Sequence, residues 1–184
     1  MKYLRPSWLV PLFWLGVGAN VRAAEFVPTR NDGLTKTGDV MAYVMPATAL
    51  GLTACFKDGT GAWEFSGSAA ITMAATVGLK YAVNARRPNG GVRSFPSGHT
   101  ASAFCSAEFL RKRYGWKYGV PAYAVASLVG YSRVHAHVHY FRDVAAGAAI
   151  GFATTCIVSK PFHGWQIQPT VAANYRGFTA SRDF

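Results

Sequence analysis

The chain has 184 residues, of which 51% are apolar and 15% are charged, and its formal net charge is +11. Soluble domains usually carry about 25% charged residues, so this composition favours a membrane protein or a very apolar helical bundle. A positive balance suits anionic partners such as anionic lipids or a negatively charged membrane surface. The basic residues are scattered and form no recognised nucleic-acid-binding pattern, so we expect no nucleic-acid partner.

Residues 1–23 have the pattern of a secretory signal peptide. Two basic residues precede an apolar run at 8–18, and Val21 and Ala23 are small residues placed as before a cleavage site. The apolar run is shorter than the ~20 residues needed to span a bilayer, which favours cleavage after Ala23 over an uncleaved anchor. We therefore expect an exported protein of a bacterial cell envelope, either at the inner membrane facing the periplasm or in the periplasm.

The rest of the chain predicts one all-α domain. Residues 24–37 are rich in turn-forming residues and predict an exposed lead-in loop. A helical bundle is then predicted over 38–160, followed by a C-terminal extension at 161–184 that is either irregular or a β-hairpin with its turn near 174–177. The five predicted helices run from Gly38 to Phe56, Glu64 to Asn84, Ser97 to Tyr114, Gly119 to Val134 and Phe141 to Ser159.

Hydropathy leaves the membrane topology of this bundle open. The uncharged runs lie at 40–56, 65–79, 118–132 and 144–159. Each is below or at the lower length limit for crossing a bilayer. They are rich in small residues, which suit close helix packing in water or in lipid. An integral membrane bundle and a soluble or peripheral bundle both fit this pattern.

Lys80 and Arg87 form the first of three polar groups in otherwise apolar sequence. They are seven residues apart, so both lie on one helix face if the helix continues that far. A lysine and an arginine directed at one point would neutralise a dianionic phosphate. Arg86 offers a second register, and we prefer Arg87 because it precedes Pro88. Taken alone, the pair also fits a solvated helix end.

Ser97, Gly98 and His99 form the second group and open the third predicted helix. A helix N-terminus presents free N–H groups and the positive end of the helix dipole, and both bind phosphate. Gly98 allows close approach of the backbone, and the Ser97 hydroxyl can donate or cap. His99 could pass a proton to a leaving oxygen. Taken alone, the group also fits an ordinary capped helix start.

His139 and Asp143 form the third group and lie four residues apart, on one helix face. A carboxylate there can hold one imidazole nitrogen and leave the other free to attack, although a structural pair fits as well. Arg133 could join the two cations of the first group. His135, His137 and His139 alternate as in some metal sites, but no Cys or Glu completes the set, so we expect no metal.

The order and spacing of the three groups resemble the signature of the type-2 phosphatidic acid phosphatase and vanadium haloperoxidase superfamily. The resemblance covers about a third of the chain and implies an all-α core. Membrane members commonly carry six spanning helices, whereas this chain has five predicted helices and the signal segment. The signature positions are filled by Lys80, Arg87, Pro88, Pro96, Ser97, Gly98, His99, Ser132, Arg133, His139 and Asp143.

The resemblance implies phosphoryl transfer through a phosphohistidine, without a metal or other cofactor. In this scheme His139 attacks phosphorus, Asp143 orients His139, and His99 protonates the leaving group and then acts as base for water. The phosphoryl oxygens would be held by Lys80, Arg87, Ser97, Gly98 and Arg133.

We therefore expect an envelope phosphatase that hydrolyses phosphomonoester or diphosphate groups on a lipid-linked substrate such as phosphatidate, undecaprenyl diphosphate or lipid A. A periplasmic acid phosphatase acting on small soluble phosphomonoesters is the main alternative. A vanadate-dependent haloperoxidase and a non-enzymatic protein with a relic pocket are further alternatives. The expected partners are a phosphorylated lipid and a membrane, with no nucleic acid and no obligate protein partner.

Overall fold

The computed structural model describes residues 26–162 and two segments of the C-terminal extension, at 165–172 and 175–182. The predicted signal segment at 1–23 lies outside the described residues. The described bundle consists of five helices, which confirms the prediction of an all-α domain. They are α1 (Gly33–Cys55), α2 (Gly59–Val83), α3 (Gly98–Tyr114), α4 (Trp116–His135) and α5 (Phe141–Val158).

α1 begins at Gly33, earlier than the predicted start at Gly38. Asp32 causes the early start, because its Oδ1 accepts a hydrogen bond from the Thr35 backbone N–H at 3.0 Å. An aspartate in this position satisfies one of the free N–H groups of a helix N-terminus. Asp39, which follows the predicted start, therefore lies inside α1 and does not cap it.

α2 begins at Gly59, earlier than the predicted start at Glu64. Asp58 caps it by accepting from the Gly61 backbone N–H at 2.8 Å, and the other carboxylate oxygen of Asp58 accepts from Arg113 Nε of α3 at 2.7 Å. A Cβ at Gly61 would lie 2.1 Å from Asp58 Oδ2. Gly61, in the first turn of the helix, thus gives room for this ion pair.

α3 is the central helix and packs against the other four. None of its residues is exposed, whereas α1, α2, α4 and α5 all carry exposed large apolar side chains. α3 is therefore the helix around which the other four are arranged. Its buried apolar neighbours and its own core residues include Ala42, Met45, Ala49, Phe65, Ala103, Phe109, Ala126 and Val129.

α5 packs against α3 through two glycines one turn apart. A Cβ at Gly147 would lie 2.4 Å from the Ser97 carbonyl oxygen, and one at Gly151 would lie 2.2 Å from the Ala101 carbonyl oxygen. Glycine at both positions lets the two backbones approach closely. At the same end of the pair, the Ser97 backbone N–H donates to the Asp143 carbonyl at 2.9 Å. The beginnings of α3 and α5 are therefore held side by side.

Among the described residues, α5 alone is long and apolar enough to cross a membrane by length and composition, with a mean hydropathy of 1.4. In the C-terminal extension, β1 (Trp165–Ala172) and β2 (Tyr175–Arg182) pair antiparallel, as in the hairpin alternative. Gly177 is paired with Thr170, so pairing extends into the range in which the turn was predicted. Of that range, residue 174 lies outside the described residues.

Candidate active site

An open cavity of about 970 Å³ lies between α1, α2, the beginning of α3 and the end of α4. Two of the eight predicted site residues, Ser97 and Asp143, are fully buried and do not line it. The other six, drawn from all three polar groups, line the cavity: Lys80, Arg87, Gly98, His99, Arg133 and His139.

Lys80 and Arg87 reach the cavity from different elements. α2 ends at Val83, so the helix does not continue to Arg87 and the condition for a shared helix face is not met. The loop holds Arg87 instead, since its backbone N–H donates to the Gly91 carbonyl at 2.7 Å. Lys80 Nζ donates to the Arg93 carbonyl at 3.0 Å. The loop after α2 therefore positions both cations.

The second polar group starts α3, as the sequence predicts. Ser97 is its N-cap, and its hydroxyl oxygen accepts from Thr100 Oγ1 at 3.0 Å. A Cβ at Gly98 would lie 3.9 Å from Lys80 Cε, so the lysine stem passes beside the helix start. His99 follows, with its ring centroid 6.2 Å from that of Tyr43 in an edge contact.

His139 is 3% exposed and packs against the fully buried Asp143 and Ser94. Its Nδ1 lies 3.6 Å from Asp143 Oδ2 and 3.4 Å from Ser94 Oγ. Ser94 Oγ and the Tyr140 backbone N–H both donate to Asp143 Oδ2. Because the carboxylate faces Nδ1, Nε2 is the nitrogen left for the cavity that His139 lines.

Ser94 was not among the predicted site residues. It lies in the loop rich in Gly and Pro before α3, where one buried hydroxyl has no motif of its own. Its place just ahead of the second polar group was the available signal.

Burial lowers the pKa of His139 below its usual value, and the charges of Arg87 and Lys80 lower it further, while Asp143 acts in the opposite direction. The neutral imidazole is the nucleophilic form. The environment of His139 therefore suits attack on an electrophilic centre.

Arg133 is 3% exposed and is held largely by α1. Its Nη2 donates to the Thr35 carbonyl at 2.8 Å, its Nε donates to Ser132 Oγ at 3.0 Å, and its Nη1 forms an ion pair with Asp39. Asp39 lines the cavity and was not among the predicted site residues, because it lies outside the three polar groups.

His135 and His137, which alternate with His139 in the sequence, do not line the cavity. His135 Nε2 is 2.6 Å from Asp32 Oδ2, and His137 Nδ1 is 3.2 Å from the Pro28 carbonyl oxygen. Both therefore contact the lead-in segment. Arg86 does not line the cavity either, in contrast to its neighbour Arg87.

Comparisons with known proteins agree with this architecture. The model of the PAP2 superfamily matches residues 90–166. The chain is 27% identical to the lipid A 4'-phosphatase of Helicobacter pylori over 194 residues, which cover 96% of this chain and 94% of that protein. It is 32% identical to the lipid A 1-phosphatase of Porphyromonas gingivalis over 165 residues, which cover 82% of this chain but 36% of that protein.

The fold is also similar to the crystal structure of Aquifex aeolicus LpxE. The TM-score is 0.60 at 27% sequence identity, and the match covers 70% of this chain and 87% of that one. The matched family region begins just before Ser94 and contains the second and third polar groups. The sequence signature, the helical bundle and these matches together support the PAP2 superfamily for this chain.

Proposed function

We propose that this PAP2 phosphatase removes phosphate from a lipid-linked substrate of the bacterial envelope through a phosphohistidine on His139. One observation carries the proposal: a single cavity is lined by two histidines, His139 and His99, and by three cations, Lys80, Arg87 and Arg133. A phosphoryl group among these cations would have a nucleophile and an acid beside it.

The residues have separate roles in the proposed reaction. Lys80, Arg87, Arg133 and the start of α3 hold the phosphoryl oxygens, because charge stabilisation and positioning are what phosphoryl transfer requires. His139 Nε2 attacks phosphorus while the bond to the leaving oxygen breaks, and His99 gives that oxygen a proton. Water then attacks the phosphohistidine and passes a proton to His99, which releases phosphate and restores His139.

Three features support a lipid-linked substrate. The cavity, at about 970 Å³, is of the size that holds a whole ligand head group. Its lining includes the polar residues Thr29, Arg30 and Asn31 of the lead-in segment, which suit a polar head group. The two relatives named above act on lipid A, so we place a lipid A type substrate first and phosphatidate or undecaprenyl diphosphate next. The predicted signal segment supports a site on the periplasmic side.

A phosphate-release panel tests the proposal. Purified protein in detergent would be given lipid A, undecaprenyl diphosphate, phosphatidate, phosphatidylglycerophosphate and a soluble phosphomonoester. We expect release from at least one lipid, and a loss of at least about 10³-fold in His139→Ala because the nucleophile is gone. His135→Ala is the matched control, since it removes a nearby histidine outside the cavity, and it should keep its activity.

Two results would contradict the proposal. Equal phosphate release by wild type and His139→Ala would remove His139 as the nucleophile. Release from the soluble ester alone would favour the periplasmic acid phosphatase that the sequence leaves open. Trapping of an acid-labile, phosphorylated protein in wild type but not in His139→Ala would support the covalent step directly.

A further inference from the structure

A carboxylate lies inside the cavity that is proposed to bind an anion. Among the described residues that line the cavity, Asp39 is the one acidic residue. Its side chain is 46% exposed, and its Oδ1 is paired with Arg133 Nη1 and lies 3.7 Å from His99 Nε2. A negative charge there repels a dianionic phosphate. Asp39 therefore opposes anion binding. Its contacts with an arginine and a histidine indicate that it contributes to the site in another way.

We propose that Asp39 is a positioning residue of the phosphatase reaction, which holds Arg133 in place and keeps the proton on His99 until the leaving group takes it. The inference rests on the proposed function, because it concerns His99 as the acid of that reaction. It adds a residue of α1 to the predicted site residues, all of which come from the region between Lys80 and Asp143.

The contacts of Arg133 support the first part of this role. A guanidinium has five N–H groups, and three of them are directed at Asp39, Thr35 and Ser132. One N–H on each terminal nitrogen remains for phosphoryl oxygens. Gly38 gives room for the arrangement, since a Cβ there would lie 2.7 Å from Arg133 Nη2. α1 thus fixes the direction of the guanidinium without using all of its donors.

The surroundings of His99 support the second part. Burial and the charge of Arg133 lower the pKa of His99, with further lowering by Arg87 and Lys80, whereas Asp39 raises it. Tyr43 of α1 also contacts His99, through an edge contact between the two rings. The cations that are proposed to bind phosphate therefore also disfavour the protonated form of His99 before substrate binds. Asp39 supplies the opposing charge, at the cost of weaker anion binding.

Kinetics of Asp39→Asn separate this role from a structural one, because asparagine keeps the shape and removes the charge. We expect kcat to fall by roughly tenfold and the alkaline limb of the kcat/KM profile to move to lower pH, since His99 loses its proton earlier. We also expect inorganic phosphate to inhibit more tightly, because the repulsion is gone. Asp39→Glu, which keeps the charge, should restore the alkaline limb. Weaker phosphate inhibition together with lower turnover would indicate a structural role and overturn the proposal.

A titration of His99 by NMR provides a readout that needs no turnover. With isotope-labelled histidine, assigned through His99→Asn, the pKa of His99 should fall in Asp39→Asn. Asp32→Asn is the matched control, since it removes another half-exposed carboxylate of the α1 region that faces His135, and it should leave His99 unchanged. An unchanged His99 titration in Asp39→Asn overturns the proposal alone, whereas a wild type that releases no phosphate overturns the proposed function as well.

Discussion

His139 experiences opposing influences at the scale of single residues. Its burial and the nearby Arg87 and Lys80 favour the neutral imidazole, and Asp143 favours the protonated one. The net effect is a lowered pKa, so the acidic limb of the kcat/KM profile should lie below the ordinary histidine value of 6.5. The cations of the cavity thus have two effects: they bind the phosphoryl group, and they keep the nucleophile unprotonated.

Replacement of Arg87 tests this coupling. In Arg87→Gln, one positive charge near His139 disappears, so the pKa of His139 rises and the acidic limb of kcat/KM should move to higher pH. We also expect kcat/KM to fall by roughly 10²- to 10³-fold, because a donor to the transition state is lost. The measurement is the pH profile of phosphate release. Arg86→Gln, one residue earlier and outside the cavity, should match the wild type, and an acidic limb that stays in place in Arg87→Gln would contradict the coupling.

At the scale of elements, the contact between α3 and α5 links stability to the site. Gly147 faces the carbonyl of Ser97, the residue that caps α3, and Gly151 faces the carbonyl of Ala101, one turn further along. Any side chain at Gly147 must displace the helix start that carries Gly98 and His99. A side chain at Gly151 displaces the middle of the same contact.

Alanine at these two glycines should therefore have different effects on activity. Each variant forces a clash that costs about 1–3 kcal/mol of stability, but Gly147→Ala should also lower kcat in the folded protein, whereas Gly151→Ala should affect kcat less. Thermal unfolding in detergent and phosphate release by the folded fraction measure the two effects. Gly78→Ala on α2, where a Cβ meets nothing within 4 Å, should be neutral or slightly stabilising. A Gly147→Ala protein as stable and active as Gly78→Ala would contradict the packing argument.

The helices themselves were largely predictable from the sequence, but the beginnings of α1 and α2 were not. Apolar runs and breakers predicted all five, and α5 was placed within one residue at each end. α1 and α2 begin earlier than predicted because Asp32 and Asp58 cap them. In the sequence, each aspartate lies beside a glycine and resembles a turn. Whether such a pair turns the chain or starts a helix depends on the tertiary contacts of the aspartate, such as that between Asp58 and Arg113.

At the scale of the whole molecule, the sequence predicted the members of the site better than their contacts. The six predicted residues that line the cavity were found from the order and spacing of the three polar groups, which match the family signature. Asp39 and Ser94 were missed, since each contacts a group far along the chain: Asp39 pairs with Arg133, and Ser94 with Asp143. No periodicity in a single sequence encodes such contacts between elements.

The outer surface of the bundle is unusually apolar. The outer helices expose large side chains, including Val40 on α1, Trp63 on α2, Tyr131 on α4 and Ile157 on α5. Only 22% of α5 is buried inside the bundle, whereas the core helix of a soluble protein would be mostly buried. An exposed apolar surface of this extent is typical of a membrane or protein interaction site. A lipid-linked substrate would reach the cavity from the same membrane.

We therefore expect the protein to stay with membranes after washes with high salt and with alkaline carbonate, and to need detergent for extraction. Lysine in place of both Phe152 and Ile157, which are exposed on α5, should lower membrane retention, because a lysine within a membrane-spanning helix costs about 2.5–3.5 kcal/mol. Lys117→Ala, a change of an exposed charged residue on α4, is the control and should not alter retention. Fractionation and immunoblotting measure the outcome. Release of the wild type by carbonate would instead favour the soluble or peripheral bundle, and the exposed apolar side chains would then have to be covered by something other than lipid.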